Sequence, residues 1–272
     1  MPSYNKSSSE RIEMLDDIMI SRAIIESYFK EILDNLESDV IICGAGPSGL
    51  YASYYLSKEG FKVVVFERNL RPGGGMPGGG MMFNKIVIQE EAKPILDELG
   101  INTAHYRENY YVASSLETLG VLLSQAIKNG AHIFNCISVE DILLYETKVQ
   151  GVVINWSSAV EAGLHVDPLT ARSSFVVDAS GHAAEVAQLV SQKSGGKLLT
   201  STGELIGEKP MWAEKGEKAI LANTKEIFPH LYVCGMAANA VFGGPRMGPI
   251  FGGMLLSGQK VARLIGERLR KK

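Results

Sequence analysis

The sequence is poor in cysteine: Cys43, Cys136 and Cys234 are the three that occur, and no two of them form a C-x-x-C pair. This excludes a site built on paired cysteines and is typical of reduced thiols in a cytosolic protein. No apolar run approaches the roughly 20 residues that a membrane helix needs. The polar N-terminal stretch lacks the apolar core of a signal peptide. We therefore expect a cytoplasmic protein with no membrane partner.

The chain also lacks an excess of charge of either sign, because 27 basic residues face 30 acidic ones and the formal net charge is −3. Nothing in this balance attracts nucleic acid or an anionic membrane. There is no internal repeat and no low-complexity block. A length of 272 residues with 46% apolar residues is enough for one large domain. We predict a single domain over residues 1–272, with a helical extension at about 10–37.

Apolar runs and turn residues predict alternating strands and helices. In the extension, Ile25, Phe29, Ile32 and Leu36 lie on one helical face, expected to pack on the main domain or a neighbouring subunit, and Ser9 is a candidate cap. Polar residues at about 192–218 predict a surface excursion with the composition of a mobile segment. Strands are predicted at 39–43, 62–66, 131–135, 139–145, 149–156, 174–177 and 231–234, and helices from the first glycine motif to about 57 and at 93–99, 115–128 and 248–269.

The motif Gly44-x-Gly46-x-x-Gly49 lies between the first strand and its helix. Gly44 permits the tight turn, Gly46 lets the backbone approach a pyrophosphate, and Gly49 lets helix and strand pack closely. Glu67 ends the next strand, where a carboxylate can accept hydrogen bonds from ribose hydroxyls, and the helix N-terminus favours an anion. This β-α-β unit predicts an α/β, Rossmann-like dinucleotide-binding fold with a central parallel sheet and an additional antiparallel sheet.

Two histidines and an aspartate lie within one short region of the sequence, where His165 and Asp167 precede His182. Residues two apart in extended backbone lie on one face, and His182 follows a strand end and a glycine. Imidazole and carboxylate together suit Fe(II), Zn(II) or Mn(II). General acid and base work by either histidine needs no metal and stays open. So does a structural role, with His165 on the surface and His182 orienting a turn.

Two features of the C-terminal region bear on which nucleotide binds and on where an anionic group could bind. Flavoproteins with this opening usually carry Gly-Asp after a late strand, whereas this chain has Gly235 and Met236, which counts against bound FAD. Arg246 precedes the last predicted helix, and Pro249 suits a first helical turn. A guanidinium beside a helix start makes a carboxylate or phosphate site; the alternative is an arginine that covers a surface loop.

With these motifs together, the chain resembles the thiamine thiazole synthase family, in the archaeal-type form once described as ribose or ribulose bisphosphate isomerases. The likeness covers nearly the whole chain. It is carried by Gly44-Ala45-Gly46-Pro47-Ser48-Gly49, Phe66-Glu67-Arg68, the glycine-rich residues 72–82, His165-Val166-Asp167-Pro168, Gly181-His182 and Gly244-Pro245-Arg246-Met247-Gly248-Pro249-Ile250-Phe251-Gly252. The last of these motifs is the most specific.

The resemblance implies that NAD is a substrate: nicotinamide leaves, the ADP-ribose unit condenses with glycine, and sulfur insertion, cyclisation and dehydration give an ADP-linked thiazole carboxylate. It implies Fe(II) held by Asp167 and His182, with His182 from an adjacent subunit, and a homo-octamer. Arg246 would hold the glycine carboxylate. The nucleotide would contact Gly44, Gly46, Ser48, Gly49, Glu67, Arg68, Gly75, Val139, His165, Asp167 and Met236.

The residue at position 165 separates two branches of the family. Eukaryotic members have cysteine there and surrender its sulfur, whereas the imidazole of His165 has no sulfur to give. The resemblance therefore implies a catalytic group of His165, Asp167 and His182 that takes sulfur from outside, most simply as sulfide, in an anaerobic setting. The competing hypotheses are a flavin-dependent oxidoreductase, a ribose-1,5-bisphosphate isomerase that needs no NAD, and a non-catalytic nucleotide-binding protein.

Overall fold

The computed structural model describes residues 15–271. The chain divides into two compact units between Leu36 and Glu37. The strands are β1 (Glu37–Cys43), β2 (Val63–Glu67), β3 (Lys85–Gln89), β4 (Thr103–Arg107), β5 (Tyr110–Ser114), β6 (His132–Asn135), β7 (Ile137–Tyr145), β8 (Lys148–Trp156), β9 (Leu169–Asp178), β10 (Lys225–Phe228) and β11 (Leu231–Val233). The helices are α1 (Asp17–Asp34), α2 (Pro47–Lys58), α3 (Lys93–Glu98), α4 (Ser115–Lys128), α5 (Ser157–Glu161), α6 (Glu185–Lys193), α7 (Ala213–Asn223), α8 (Met236–Phe242) and α9 (Gly252–Leu269).

A mainly parallel sheet forms the centre of the larger unit, as predicted. Its strand order is β10-β11-β9-β1-β2-β6, and β1 lies parallel to both β2 and β9. The side chains of Val40, Ile41 and Ile42 are fully buried, as expected for a strand covered on both faces. The predicted β1-α2-β2 unit is confirmed.

The carboxyl ends of four strands meet at one edge of this sheet. Cys43 at the end of β1 pairs with Phe66 of β2 on one side and with Asp178 of β9 on the other, and Asp178 pairs with Val233 of β11. In open α/β sheets, ligands bind outside such an edge. The loops that follow these strands therefore surround the expected position of a ligand.

Two antiparallel arrangements complete the larger unit. The predicted β7–β8 hairpin is present and joins the central sheet through β8 and β9. A second, separate sheet has the order β3-β5-β4. None of its strands was predicted individually, because each is five residues long and too short to show a clear alternation. Of the five residues of β4, none is buried.

The N-terminal unit contains α1, which lies within the range predicted for a helical extension. Asp16 caps this helix and accepts hydrogen bonds from the N–H groups of Ile18 (2.8 Å) and Met19 (3.3 Å). The predicted cap Ser9 lies outside the described residues. Helix α1 buries none of its own residues, so the packing expected for its apolar face stays a prediction. Across residues 15–271, no helix is both long and apolar enough to cross a membrane.

Helix α7 begins at Ala213, inside the segment 192–218 that was predicted as a surface excursion. One local prediction was wrong. The last helix begins at Gly252 rather than Gly248. Gly248 has φ +83°, which a right-handed helix cannot accommodate, and Phe251 donates its N–H to the carbonyl of Val87 on β3. Pro249 is therefore not in a first helical turn.

Candidate functional site

A cavity of about 1200 Å³ opens at the carboxyl edge of the central sheet. Most of the residues singled out from the sequence line it. These are Gly44, Gly46, Ser48, Glu67, Arg68, Gly75, Val139, His182, Met236 and Arg246. The fold thus brings the glycine motif, one of the two histidines and the loop that carries Arg246 (residues 243–249, the arginine loop) to a single cavity. This cavity is large enough for a dinucleotide.

The three motif glycines have separable roles. A Cβ on Gly44 would lie 2.6 Å from the carbonyl oxygen of Ala179, and a Cβ on Gly49 would lie 2.1 Å from the carbonyl oxygen of Gly44. Both glycines are therefore required by protein packing. A Cβ on Gly46 would meet no protein atom within 4 Å, although this residue lines the cavity. Gly46 keeps free a space that a ligand can use, as the motif predicts.

Glu67 is buried, and its carboxylate supports the loops around it. Oε2 accepts from the N–H of Ala45 at 2.8 Å, while Oε1 accepts from the main-chain N–H and the side-chain amide of Asn69 at 2.8 and 2.7 Å. A carboxylate has about four acceptor positions. Three are used within the protein, so Glu67 keeps capacity for about one donor from a ribose.

Arg68 and Glu185 form an ion pair at the cavity wall. Burial raises the pKa of the Glu185 carboxyl, and the charge of Arg68 opposes that rise. The guanidinium is about half exposed, so it keeps donors toward the cavity.

Ser48 and Gly235 approach each other where α2 meets the end of β11. A Cβ on Gly235, which has φ +63°, would lie 2.2 Å from Oγ of Ser48. This contact explains why glycine precedes Met236, the buried first residue of α8. Met236 occupies the position at which flavoproteins were expected to carry an aspartate, so no carboxylate enters the cavity there.

A buried carboxylate shapes the turn that carries His182. Asp178, at the end of β9, accepts hydrogen bonds from the N–H and Oγ of Ser180 (3.0 and 2.6 Å) and from the N–H of Ala187 (2.9 Å). Burial raises the pKa of Asp178, while these hydrogen bonds oppose the rise. Ala184 takes a left-handed conformation with φ +45° before α6 begins. His182 therefore sits on a short, tightly bonded turn.

His182 has a carboxylate partner that the sequence did not suggest. Its Nδ1 lies 2.7 Å from Oε1 of Glu208, and both residues line the cavity. Glu208 belongs to the polar segment at 192–218, where no periodicity marks it as part of a site. A weak signal was present in the aromatic and proline residues that follow it, Pro210 and Trp212, which are unusual in a solvated excursion.

Backbone hydrogen bonds hold the segment around Glu208 against the arginine loop. Gly207 donates to the carbonyl of Ala240 (2.9 Å), Lys209 donates to Gly244 (3.0 Å), and Arg246 donates to Lys209 (3.1 Å). Within residues 15–271 the guanidinium of Arg246 has no hydrogen-bond or ion-pair partner. It lines the cavity and is free to bind an anionic group. At the start of α9, where Phe251 and Met254 also line the cavity, the N–H of Gly253 donates to Glu217.

His165 and Asp167 lie apart from this cavity in the described chain. Both are exposed on residues 163–168, the loop before β9, and neither side chain has a partner among residues 15–271. Residues 164–168 belong to no strand, so the shared face expected for His165 and Asp167 stays a prediction. No group of three or more His, Cys, Asp or Glu side chains suited to a metal occurs in the described part of one chain.

Cys43 and Cys234 are poor nucleophiles. Burial raises the pKa of the Cys43 thiol and raises that of Cys234 to about 12. Both thiols therefore stay protonated, as buried reduced thiols were expected to. Cys136 is half-buried in the turn between β6 and β7 and does not line the cavity.

Comparison with known proteins gives consistent matches. The model of the Thi4 family matches residues 21–251. The chain is 55% identical to the thiamine thiazole synthase of Methanothermobacter thermautotrophicus and 52% identical to that of Pyrococcus horikoshii, over 94% of this chain and 99% and 100% of those proteins. The crystal structure of Thermovibrio ammonificans THI4 is similar with a TM-score of 0.91 at 46% identity, over 95% of this chain and all of that one.

Proposed function

Because the chain belongs to the Thi4 family, its activity class is thiazole synthesis for thiamine, and we propose that it makes an ADP-linked thiazole carboxylate from NAD, glycine and sulfide with Fe(II). Nicotinamide is the leaving group. The observation that carries the proposal is the cavity itself. It brings a dinucleotide turn, an imidazole and an unpaired guanidinium within reach of one ligand.

NAD is a substrate in this proposal, held by its ADP half. The space left by Gly46 and the N-terminus of α2 receive the diphosphate, because Gly46 lines the cavity and a Cβ there would meet no protein atom within 4 Å. Glu67 accepts from the ribose with its remaining acceptor position. Val139 offers its main chain to the adenine, and Met236 forms an apolar wall near the reacting sugar.

Arg246 binds the carboxylate of glycine. A guanidinium holds a carboxylate through two parallel N–H donors, and this one has no partner in the described protein that would compete. Arg246 is attached through its backbone to the segment that carries Glu208, so the glycine site and His182 have a common support.

Fe(II) fits the donor set in part. His182 has a ring nitrogen left over after its contact with Glu208, and imidazole with carboxylate suits this metal. The carboxylate would come from Asp167, with His165 beside it. When bound, Fe(II) would supply a Lewis acid that can hold sulfide near the substrate. The chain's own contribution is to present these ligands and to keep the substrate carboxylate on Arg246.

A second copy of the chain would complete the site. His165 and Asp167 stand on an exposed loop whose apolar neighbours Leu164 and Val166 are 60% and 50% exposed. The cavity wall includes Met81 and Met211, which are also largely exposed. Exposed apolar residues next to incomplete polar sites are typical of subunit interfaces. We propose a homo-octamer in which one subunit supplies Asp167 and its neighbour supplies His182.

Sulfur enters from outside in this proposal. His165 cannot donate sulfur, Cys43 and Cys234 are buried with raised pKa values, and Cys136 lies off the cavity. The protein is therefore not consumed, and each site can turn over repeatedly.

The test is an anaerobic incubation of the purified protein with NAD, glycine, Fe(II) and ³⁴S-labelled sulfide, followed by mass spectrometry. We expect nicotinamide release and an adenylated thiazole that carries the heavy sulfur. A product with ordinary sulfur and a protein lighter by one sulfur atom would contradict the external source. Folded protein that binds NAD and forms no thiazole would overturn the proposed activity.

A further inference from the structure

The side chains of Glu208 and His182 are in contact, and the proposed reaction assigns no role to Glu208. The Nδ1–Oε1 distance is 2.7 Å, and the Glu208 side chain is 19% exposed while that of His182 is 49% exposed. An ionised carboxylate has lone pairs and no hydrogen, so it can only accept. The hydrogen of this bond therefore lies on Nδ1 of His182.

The position of that hydrogen determines what the other ring nitrogen can do. In a neutral imidazole one nitrogen carries hydrogen and the other carries a lone pair. With hydrogen on Nδ1, Nε2 of His182 holds the lone pair and is the nitrogen that can bind a metal or accept a proton. Histidines that bind metals commonly donate their second N–H to a carboxylate, which fixes both ring orientation and tautomer.

Glu208 is itself firmly placed. The residues on either side of it make the main-chain bonds to Ala240 and Gly244, and Lys209 forms a β-bridge with Pro245. The main chain is thus held on both sides of Glu208, which restricts the position of its carboxylate. The segment that carries Glu208 is already ordered without a ligand. Its contact with His182 therefore does not depend on the closing of a loop.

We propose that Glu208 is a positioning residue for His182, which it holds in the Nδ1–H tautomer so that Nε2 is free for the metal. This rests on the proposed function only for the identity of the metal. The tautomer assignment stands on the contact between the two side chains. Removal of such an outer carboxylate typically weakens metal binding by about 10–100-fold.

The experiment uses the full-length protein labelled with ¹⁵N in its histidine rings, compared as wild type and as Glu208→Ala, Glu208→Gln and Glu204→Ala. His182→Ala assigns the His182 ring signals. In metal-free wild type we expect the Nδ1–H tautomer, and in Glu208→Ala we expect loss of that preference. Glu208→Gln retains an acceptor oxygen and should largely restore it. Glu204 is exposed in the same segment, and its side chain makes no bond in the described structure, so Glu204→Ala should match wild type.

Fe(II) affinity is then measured anaerobically by competition with a chelator. We expect Glu208→Ala to bind about 10–100-fold more weakly and Glu208→Gln to stay within a few-fold of wild type. Unchanged His182 signals in Glu208→Ala would overturn the proposal. If the tautomer changes as expected but wild type makes no thiazole, the positioning role stands and the proposed function fails. A lower kcat for thiazole formation in Glu208→Ala with an unchanged KM for NAD would agree with positioning, because Glu208 supports His182 and not the nucleotide turn.

Discussion

The main-chain N–H of Ala45 donates a 2.8 Å hydrogen bond to Oε2 of Glu67. This bond joins the turn after β1 to the end of β2 and is fully buried. The carboxylate expected to recognise a ribose is therefore also a structural part of the diphosphate turn. The proposed recognition of the sugar and the shape of the turn would then depend on the same side chain.

Replacing Glu67 with alanine should accordingly weaken NAD binding and destabilise the fold together. The N–H groups of Ala45 and Asn69 lose a charged acceptor, which costs roughly 1.5–3 kcal/mol in the free energy of unfolding. NAD affinity should fall by about tenfold or more. Calorimetric titration and urea unfolding measure the two effects. A variant with full stability and weak NAD binding would contradict the structural role.

Gly46 and Gly49 should respond differently to alanine. At Gly46 a methyl group meets open space in the cavity and the backbone φ is −72°, so Gly46→Ala should fold normally and bind NAD about tenfold more weakly or worse. At Gly49 the methyl group would meet the Gly44 carbonyl at 2.1 Å, so Gly49→Ala should lose roughly 1–3 kcal/mol of stability. Thermal unfolding and NAD titration of both variants test the contrast. Equal behaviour of the two would refute it.

Mixed subunits test whether the proposed iron ligands are shared between subunits. Asp167→Ala and His182→Ala should each abolish sulfur incorporation and leave NAD binding intact. If each site takes Asp167 from one subunit and His182 from another, co-refolding the two inactive proteins at equal amounts should restore about a quarter of the sites by random pairing. Sulfur incorporation by the mixture is the measurement. No recovery, although native mass spectrometry finds mixed oligomers, would place both ligands in one subunit.

Glu217 predicts a pH-dependent stability. Burial raises its pKa from 4.5 to about 7, against the hydrogen bonds from Gln89 and the N–H of Gly253. Between these two pH values the unfolded chain loses the proton while the folded protein keeps it. The free energy of unfolding should therefore fall as pH rises from about 4.5 to 7, by on the order of 3 kcal/mol, and be independent of this group outside that range.

The control for Glu217 is Glu217→Gln, which is neutral at every pH and keeps an acceptor oxygen for Gly253. We expect the difference in stability between the two proteins to change across pH 5 to 7 and to favour the variant at pH 8. Urea unfolding at several pH values measures it. Parallel pH profiles of wild type and variant would contradict a raised pKa.

The sequence pointed to those cavity residues that are marked by spacing within a short stretch of chain. The turn from Gly44 to Gly49 and the acidic residue at the end of β2 have fixed spacings that follow from strand, turn and helix geometry. The position of His182 after a strand end and a glycine is a similar local signal. The three-stranded sheet of β3, β4 and β5 has no comparable signal, because its strands are five residues each and partly exposed.

The missed parts depend on contacts between distant segments. Glu208 lines the cavity because its segment lies beside the arginine loop. No rule of sequence spacing relates Glu208 to His182. The late start of α9 has the same origin. Gly248 adopts a left-handed conformation and Phe251 pairs with Val87, more than 160 positions earlier in the sequence. Local propensity favoured a longer helix, and a tertiary β-contact replaced its first turn.

The central place of β1 has a consequence for folding. Cys43 pairs with Asp178 across about half of the chain, and the turn carrying His182 follows that pairing directly. The cavity is therefore incomplete in a nascent chain that has not yet made β9. Such distant pairing is expected to be slow. Under the proposed function it is the completed sheet that binds NAD, so a hundredfold excess of NAD over its Kd would stabilise it by about 2.7 kcal/mol. Abundant substrate would thus lengthen the lifetime of the enzyme in the cell.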